Sequence, residues 1–271
     1  MYTRLDVINQ LKNAGAPRDR VVMLHSAYSR VGDFVGGPRE FLDTLIEYFT
    51  SEGGLFCVPT HTWGLIGKTE ITLDHNDKYT NLGLLPRLAL EREDGVRSDN
   101  PTHSTVVFGE RERALEFICN ESESRTPTSP LGCYGKLYRD GGAVLLLGVT
   151  HRSNTYLHSV DELLGVEYRL EKKPSKYTVR YRDGKEISRE IFMFDESDGD
   201  VSLKFDKYSP VFDKCGVQLH TRICDANSLL CDAVGMKNTV EHIYKSLGGR
   251  DPLADGVELD SEIIAGNYSI R

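Results

Sequence analysis

Along the first sixty residues, apolar positions fall in helical and strand spacing by turns. Leu5, Ile8 and Leu11 recur at three-residue intervals, and Thr3 with Asp6 has the spacing of a capping box. Gly15 and Pro17 follow, which predicts a helix over Thr3–Ala14. Val21–Leu24 is an unbroken apolar run, the pattern of a strand buried on both faces, and is expected to deliver His25 and Ser26 into a loop. Gly36, Gly37 and Pro38 open a second helix with Phe41, Leu42, Leu45, Ile46 and Phe49 inward, and Gly53-Gly54 come after it. Leu55–Val58 reads as the next strand and ends in Pro59-Thr60-His61-Thr62. Strand, loop, helix and strand in that order predict an α/β fold with a mostly parallel, buried central sheet.

The same alternation predicts a helix over Leu82–Glu91, a polar loop over Ser98–Ser104, a strand over Thr105–Phe108 and a helix over Arg111–Cys119. Ala143–Leu147 reads as a central strand, and Asn154–Leu164 as the helix after it. From Pro174 the texture changes. Tyr177–Tyr181 and Glu186–Phe194 flank Asp183-Gly184, whose residues tolerate the positive φ of a tight turn, so a β-hairpin is expected there. The organisation is thus a single domain over 1–271, with a β-rich insertion near 174–210 forming a small C-terminal hairpin appendage. No internal repeat is visible.

Composition narrows the class. With 39% hydrophobic and 27% charged residues, the chain is not an intrinsically disordered one. The longest apolar run, Ala143–Leu147, falls far short of the ~20 residues of a membrane span. Met1-Tyr-Thr-Arg-Leu-Asp6 lacks the basic start and apolar block of a signal peptide. A net charge of −8 without a basic cluster argues against nucleic acid and anionic membranes as partners, and is compatible with cationic substrates. Cys57, Cys119, Cys133, Cys215, Cys224 and Cys231 show no C-x-x-C spacing, so buried thiols in a cytoplasmic protein are expected. Asn-x-Ser sequons at Asn120 and Asn267 carry weight only in a secreted chain.

The histidines hold the chemical signal. Of eight, His25, His61, His103 and His158 fall at or beside predicted strand ends, where open α/β sheets gather their ligands. Each could instead be a hydrogen-bonded loop residue. Gly64-Leu-Ile-Gly-Lys-Thr69 resembles the end of a P-loop, but Thr62 stands where its first glycine belongs. No G-x-S-x-G elbow is present to support a serine hydrolase. Four histidines could hold a metal, but no H-E-x-x-H or paired Cys/His spacing supports one.

Several blocks in order resemble the antibiotic N-acetyltransferases, the aminoglycoside 3-N-acetyltransferase-like family. They are Leu24-His-Ser-Ala-Tyr-Ser-Arg-Val-Gly32 with Gly36-Gly37, Val58-Pro-Thr-His-Thr62, and Gly95–Ser104 with Gly109. Ser129-Pro-Leu-Gly132, Gly142–Val149 and Asn154-Thr-Tyr-Leu-His158 complete the set. The likeness runs over roughly residues 20–165. It implies a layered αβα fold and acetyl transfer from acetyl-CoA, without a metal, to an amine of an aminoglycoside or related amino sugar. The family's H-x-x-E motif falls on His158-Ser-Val-Asp161, so the acid here is one methylene shorter, and Asn100 stands where a histidine is common.

The resemblance assigns His158 as general base. A neutral imidazole, with an ordinary pKa of about 6.5, can accept the proton of the attacking amine. Asp161 and Glu162, three and four residues on, are both eligible to hold its far nitrogen. The cofactor-binding set implied is His25, Ser26, Ser29, Val31, Gly32, Gly36, Gly37 and Ser104. Backbone N–H groups of the 25–37 loop, with the Ser26 or Ser104 hydroxyl, would face the oxyanion. The loop entering the helix at Pro38 would receive a CoA phosphate, or is simply a glycine-rich turn. Thr60, His61 and Thr62 would line the cleft. A metal-dependent hydrolase using the histidines and a non-catalytic small-molecule binder are the competing readings, and a homodimer is the assembly to test.

Overall fold

The structure, a computed structural model, describes residues 1–266, so Asn267 of the second sequon lies outside the described residues. The chain opens with α1 (Arg4–Asn13). Its capping box is formed: the Asp6 N–H donates to the Thr3 hydroxyl, and the Thr3 N–H donates to the Asp6 carboxylate at 2.8 Å. Then come β1 (Val21–Ser26), α2 (Gly37–Thr50), β2 (Leu55–Pro59), β3 (Ile71–Asp74), α3 (Leu84–Leu90), β4 (Val96–Arg97) and β5 (Thr105–Phe108). Next are α4 (Arg111–Ile118), α5 (Cys133–Arg139), β6 (Ala143–Leu147) and α6 (Tyr156–Leu163). The rest of the chain adds β7 (Ser175–Arg180), β8 (Glu186–Ile191), α7 (Ser209–Lys214), β9 (Gln218–Ile223), β10 (Ala226–Asp232), α8 (Ala233–Ser246) and α9 (Ser261–Gly266).

Seven strands form the main sheet in the order β4-β5-β2-β1-β6-β10-β9. Only its centre is parallel: β1 pairs with β2 (Val22 opposite Phe56) and with β6 (Leu24 opposite Leu145). The pairs β2–β5, β5–β4, β6–β10 and β10–β9 are all antiparallel, so the expected mostly parallel sheet is a mixed one. Short links cause part of this. Ser98–Ser104 between β4 and β5, and Cys224-Asp225 between β9 and β10, can join only antiparallel neighbours.

Strand side chains alternate between two cores, one on each face of the sheet. Val22, Leu24, Phe56 and Val58 pack with Val7 and Leu11 of α1, the α2 stripe, and Leu85 and Leu88 of α3. Val21, Met23, Leu55 and Cys57 pack with Phe117, Tyr134, Leu157, Phe212 and Met236 from helices α4 to α8. Burying each such Val, Leu or Phe contributes about 1.5–3 kcal/mol, which explains why β2, β6 and the first four residues of β1 are apolar.

The hairpin forms with Ser175 opposite Ile191 and Arg180 opposite Glu186, around Gly184 at φ +84°. It is not a C-terminal appendage. β3 joins β7 in parallel to make a three-stranded second sheet, and β9, β10 and α8 follow in the main body. Nor does the β-rich stretch reach residue 210. Residues Val201–Tyr208 form a 3₁₀ helix, and Phe205 and Tyr208 are buried in the core beneath α4 to α8. No helix among the described residues is long and apolar enough to cross a membrane.

Candidate active site

The parallel centre of the sheet brings the histidines together. β1 ends at His25-Ser26, inside the strand rather than in the expected loop. Thr60-His61-Thr62 extend β2, and their backbone is stitched to the segment before β5 by Thr60 N–H to the Ser104 carbonyl (2.7 Å) and Thr62 N–H to the Thr102 carbonyl (2.9 Å). β5 runs antiparallel, so the loop at its start carries His103 to the same end. α6, which follows β6, supplies His158. All four line one cavity of about 930 Å³. That volume lies within the range of ordinary ligand pockets, roughly 300–1,000 Å³.

The imidazoles are buried and held. The His61 Nε2 lies 2.6 Å from the Tyr134 hydroxyl, and its ring centroid is 4.3 Å from that of His103. The His103 Nδ1 lies 3.0 Å from the Thr102 hydroxyl, while Asn100 accepts the backbone N–H groups of Thr102 and His103. The His158 ring stacks on Phe194 at 4.0 Å. Among the described residues, the buried His25 Nε2 has no hydrogen-bond partner. Burial pushes His25 down to about 3, and His103 likewise with a smaller push from His158. His158 falls to about 3 through burial and then the Arg169 charge. His61 falls well below 6.5 through burial, then through its three histidine neighbours. At neutral pH all four are uncharged, so each ring keeps a basic nitrogen.

The rest of the cavity lining is mixed. Apolar Trp63, Ile66, Leu82 and Pro86 line it, and so do the acidic residues Glu171, Asp195, Glu196 and Asp200 together with the basic Arg152. Among the described residues, no group of three or more His, Cys, Asp or Glu is arranged to hold a metal ion.

Neither expected acid reaches His158. Asp161 lies 3.0 Å from the Arg169 guanidinium, both side chains being buried, and Arg169 also meets Asp251 at 2.6 Å. Glu162 accepts the hydroxyls of Thr126 (2.5 Å) and Thr128 (2.6 Å). For Asp161 the physical reason is Arg169: a buried guanidinium needs a carboxylate more than a neutral imidazole does. Burial pushes the Asp161 carboxyl up to about 7 against the pull of Arg169. Burial opposes the Arg169 charge too, but Asp161 more than offsets it. Replacing Arg169 by Met would strand Asp161, and is expected to cost about 3–5 kcal/mol, read as a lower urea midpoint. An unchanged midpoint would show that the pair does not hold the fold.

The implied cofactor set is dispersed. His25 and Ser26 line the cavity. Ser29 is exposed in a 3₁₀ turn and Val31 is a fully buried core residue. Gly32, at φ +80°, lies so close to Asp225 that an added Cβ would sit 2.2 Å from its carboxylate. Gly36 and Gly37 both take positive φ at the start of α2, a conformation that favours glycine. The Ser104 hydroxyl is committed: it donates to the Thr60 carbonyl (2.9 Å) and accepts from Arg97 (3.1 Å). It lies at the β2–β5 seam and does not line the cavity. Sequence reasoning missed Phe194, Met193, Trp63 and Tyr134. Of these only Phe194 and Met193 lie in a segment it had read, the far end of the hairpin.

Residues 23–245 match the family model for aminoglycoside 3-N-acetyltransferase. The chain belongs to the aminoglycoside 3-N-acetyltransferase family. Members of the family are acyltransferases that use acetyl-CoA. The chain is 28% identical over 183 residues to the SPbeta prophage-derived aminoglycoside N(3')-acetyltransferase-like protein YokD of Bacillus subtilis, a match covering 58% of this chain and 63% of that protein. The chain thus spans less than two thirds of that relative's length. It is 27% identical over 223 residues to aminoglycoside N(3)-acetyltransferase VII of Streptomyces paromomycinus, covering 73% and 72% of the two chains. The fold is shared with the apoenzyme of aminoglycoside acetyltransferase AAC(3)-IVa, with a TM-score of 0.74, 21% identity, and 98% and 96% of the two chains covered. A family structure of AAC-IIIb described as a binary complex with CoASH superposes with a TM-score of 0.71 at 22% identity, over 93% and 99% of the two chains.

Proposed function

We propose that this protein transfers the acetyl group of acetyl-CoA to an amine of an aminoglycoside or related amino sugar, by direct attack with His158 as general base. The observation that carries the reading is one cavity with four uncharged imidazoles and four acidic residues among those lining it. Glu171, Asp195, Glu196 and Asp200 would draw a cationic acceptor and orient its ammonium. The apolar residues, Trp63 and Ile66 among them, would hold the uncharged arm of the donor. His158 would take the proton that the amine loses as it bonds to the acyl carbon, and the thiolate of CoA would leave. The orphaned His25 Nε2 suits a donor to the oxygen that gains charge, since a buried polar atom needs a partner and a ligand can supply one. The six cysteines are free, five of them buried, which supports a cytoplasmic setting.

Acetyl-CoA should raise the melting temperature by mass action, with a stabilisation of about 2.7 kcal/mol at a hundredfold excess over its Kd. Calorimetry and thermal melts check this. No heat and an unmoved melting temperature at millimolar acetyl-CoA would contradict it. Release of the CoA thiol across a panel of amines, common aminoglycosides included, then defines the acceptor.

A further inference from the structure

Among the described residues no carboxylate pairs with His158, yet its ring is fixed. Phe194 lies almost flat on one face, with centroids 4.0 Å apart and planes 17° apart, and Phe205 meets the ring at 4.9 Å with planes 67° apart. Stacking of this kind restrains rotation of the ring.

Phe194 is itself held. The Phe192 N–H donates to the Arg125 carbonyl, the Glu171 N–H to the Met193 carbonyl, and the Asp195 N–H to the Arg169 carbonyl, each at 2.8 Å. Two of these three anchors come from residues 169 and 171. Arg169 is also the residue that Asp161 grips from α6, three residues beyond His158. A path therefore runs from Asp161 to Arg169 by their ion pair, from the Arg169 carbonyl to the backbone of Asp195, along the chain to Phe194, and by ring stacking to His158.

We propose that Phe194 is the positioning residue of His158, and that Asp161 acts on the base through Arg169 and Phe194 rather than by touching it. The kinetic side of this rests on the reading of His158 as base. The charged and titratable groups around His158 are Arg169 on the anchoring segment, His61 and His103, then His25, Arg152, Tyr177, Glu171, Asp195, Glu196 and Asp200 lining the same cavity, and Asp161 and Glu162 on its own helix. Removing the Phe194 ring lets water reach the imidazole, so its proton affinity should rise towards the ordinary value.

The test uses the full chain with Phe194→Leu, Phe194→Tyr, Asp161→Asn and the Asp161→Asn/Phe194→Leu double variant. Phe194→Leu should lower kcat about 10²-fold, the cost of a misplaced base, with KM little changed. Phe194→Tyr, which keeps the stacked ring, should recover most of the rate. The acidic limb of the pH profile should move to higher pH in Phe194→Leu and stay in place in Phe194→Tyr. The double variant should be no slower than Phe194→Leu alone, because both changes break one path.

Imidazole NMR of His158, assigned with His158→Gln, gives a readout that needs no turnover. It should show titration about one pH unit or more higher in Phe194→Leu than in the parent. Wild-type kcat and an unmoved His158 titration in Phe194→Leu would overturn the proposal, and additive losses in the double variant would remove Asp161 from the path. If Phe194→Leu loses its fold by circular dichroism, Phe194→Met replaces it with the same two outcomes. Absence of thiol release in the parent itself would refute the acetyl-transfer reading, while the NMR titration would still decide the role of Phe194.

Discussion

Replacing His158 with Ala is expected to lower kcat by about 10²–10⁴-fold, the usual worth of a positioned general base, with the fold intact. His158 enters through the first turns of α6, at the carboxyl end of the parallel strands, and it lines the cavity. Burial and the Arg169 charge keep it neutral at neutral pH, so its basic nitrogen is available there without a carboxylate partner. The loss should appear at saturating donor and acceptor, because a base acts on the chemical step rather than on binding. A folded His158→Ala protein with near-normal turnover would assign proton removal to another group, with His61 and His103 the nearest alternatives.

The second large effect is on stability in acid. His25, His103 and His158 each have a folded value of about 3 against an ordinary imidazole value of 6.5. Above pH 6.5 both folded and unfolded chains leave them neutral. As pH falls from 6.5 towards 3, the unfolded chain binds protons that the folded chain refuses, so stability is lost across that window. From pH 7.5 to 5.0 each such histidine costs about 2 kcal/mol, and the three together about 6 kcal/mol, a large share of the ~5–15 kcal/mol typical of a folded domain. Burial raises Asp161 to about 7, and raises Glu121 and Glu162, so these acids gain stability over part of the same range and oppose the loss.

A difference measurement isolates the histidine contribution. Urea unfolding of the parent and of His25→Gln at pH 7.5 and 5.0 should show the parent losing about 2 kcal/mol more. His25 suits this because, among the described residues, its Nε2 has no partner to strand. Equal losses in the two proteins would mean that His25 is protonated in the folded state well above pH 3.

What was legible in the sequence was local. The capping box of Thr3 and Asp6, the α2 stripe, and the apolar runs of β1, β2 and β6 depend on neighbours a few residues away, and all are present in the structure. The shared location of four histidines was legible too, because three of them attach to the carboxyl ends of parallel strands. β9 and β10 were not read. β9 is an edge strand with exposed Leu219, His220 and Arg222, so its pattern lacks a clean apolar face. β3 has only four residues. Partner choice was the least visible level. Spacing made Asp161 and Glu162 neighbours of His158, but Arg169, Thr126 and Thr128 compete for them across space. The Ser104 hydroxyl was assigned to ligand and is consumed by the β2–β5 seam. Phe194 matters only because residues 169–171 fold back on it, a contact that no periodicity encodes.

The central claim is that this cavity joins acetyl-CoA to an amine. Its most direct test is mass spectrometry of the acceptor alongside thiol release, with purified parent protein at neutral pH. The expected result is one acetyl group gained on an acceptor amine for each CoA thiol released, with the signal lost in His158→Ala. Thiol release with the acceptor unchanged, or no reaction with any amine in the panel, would contradict it.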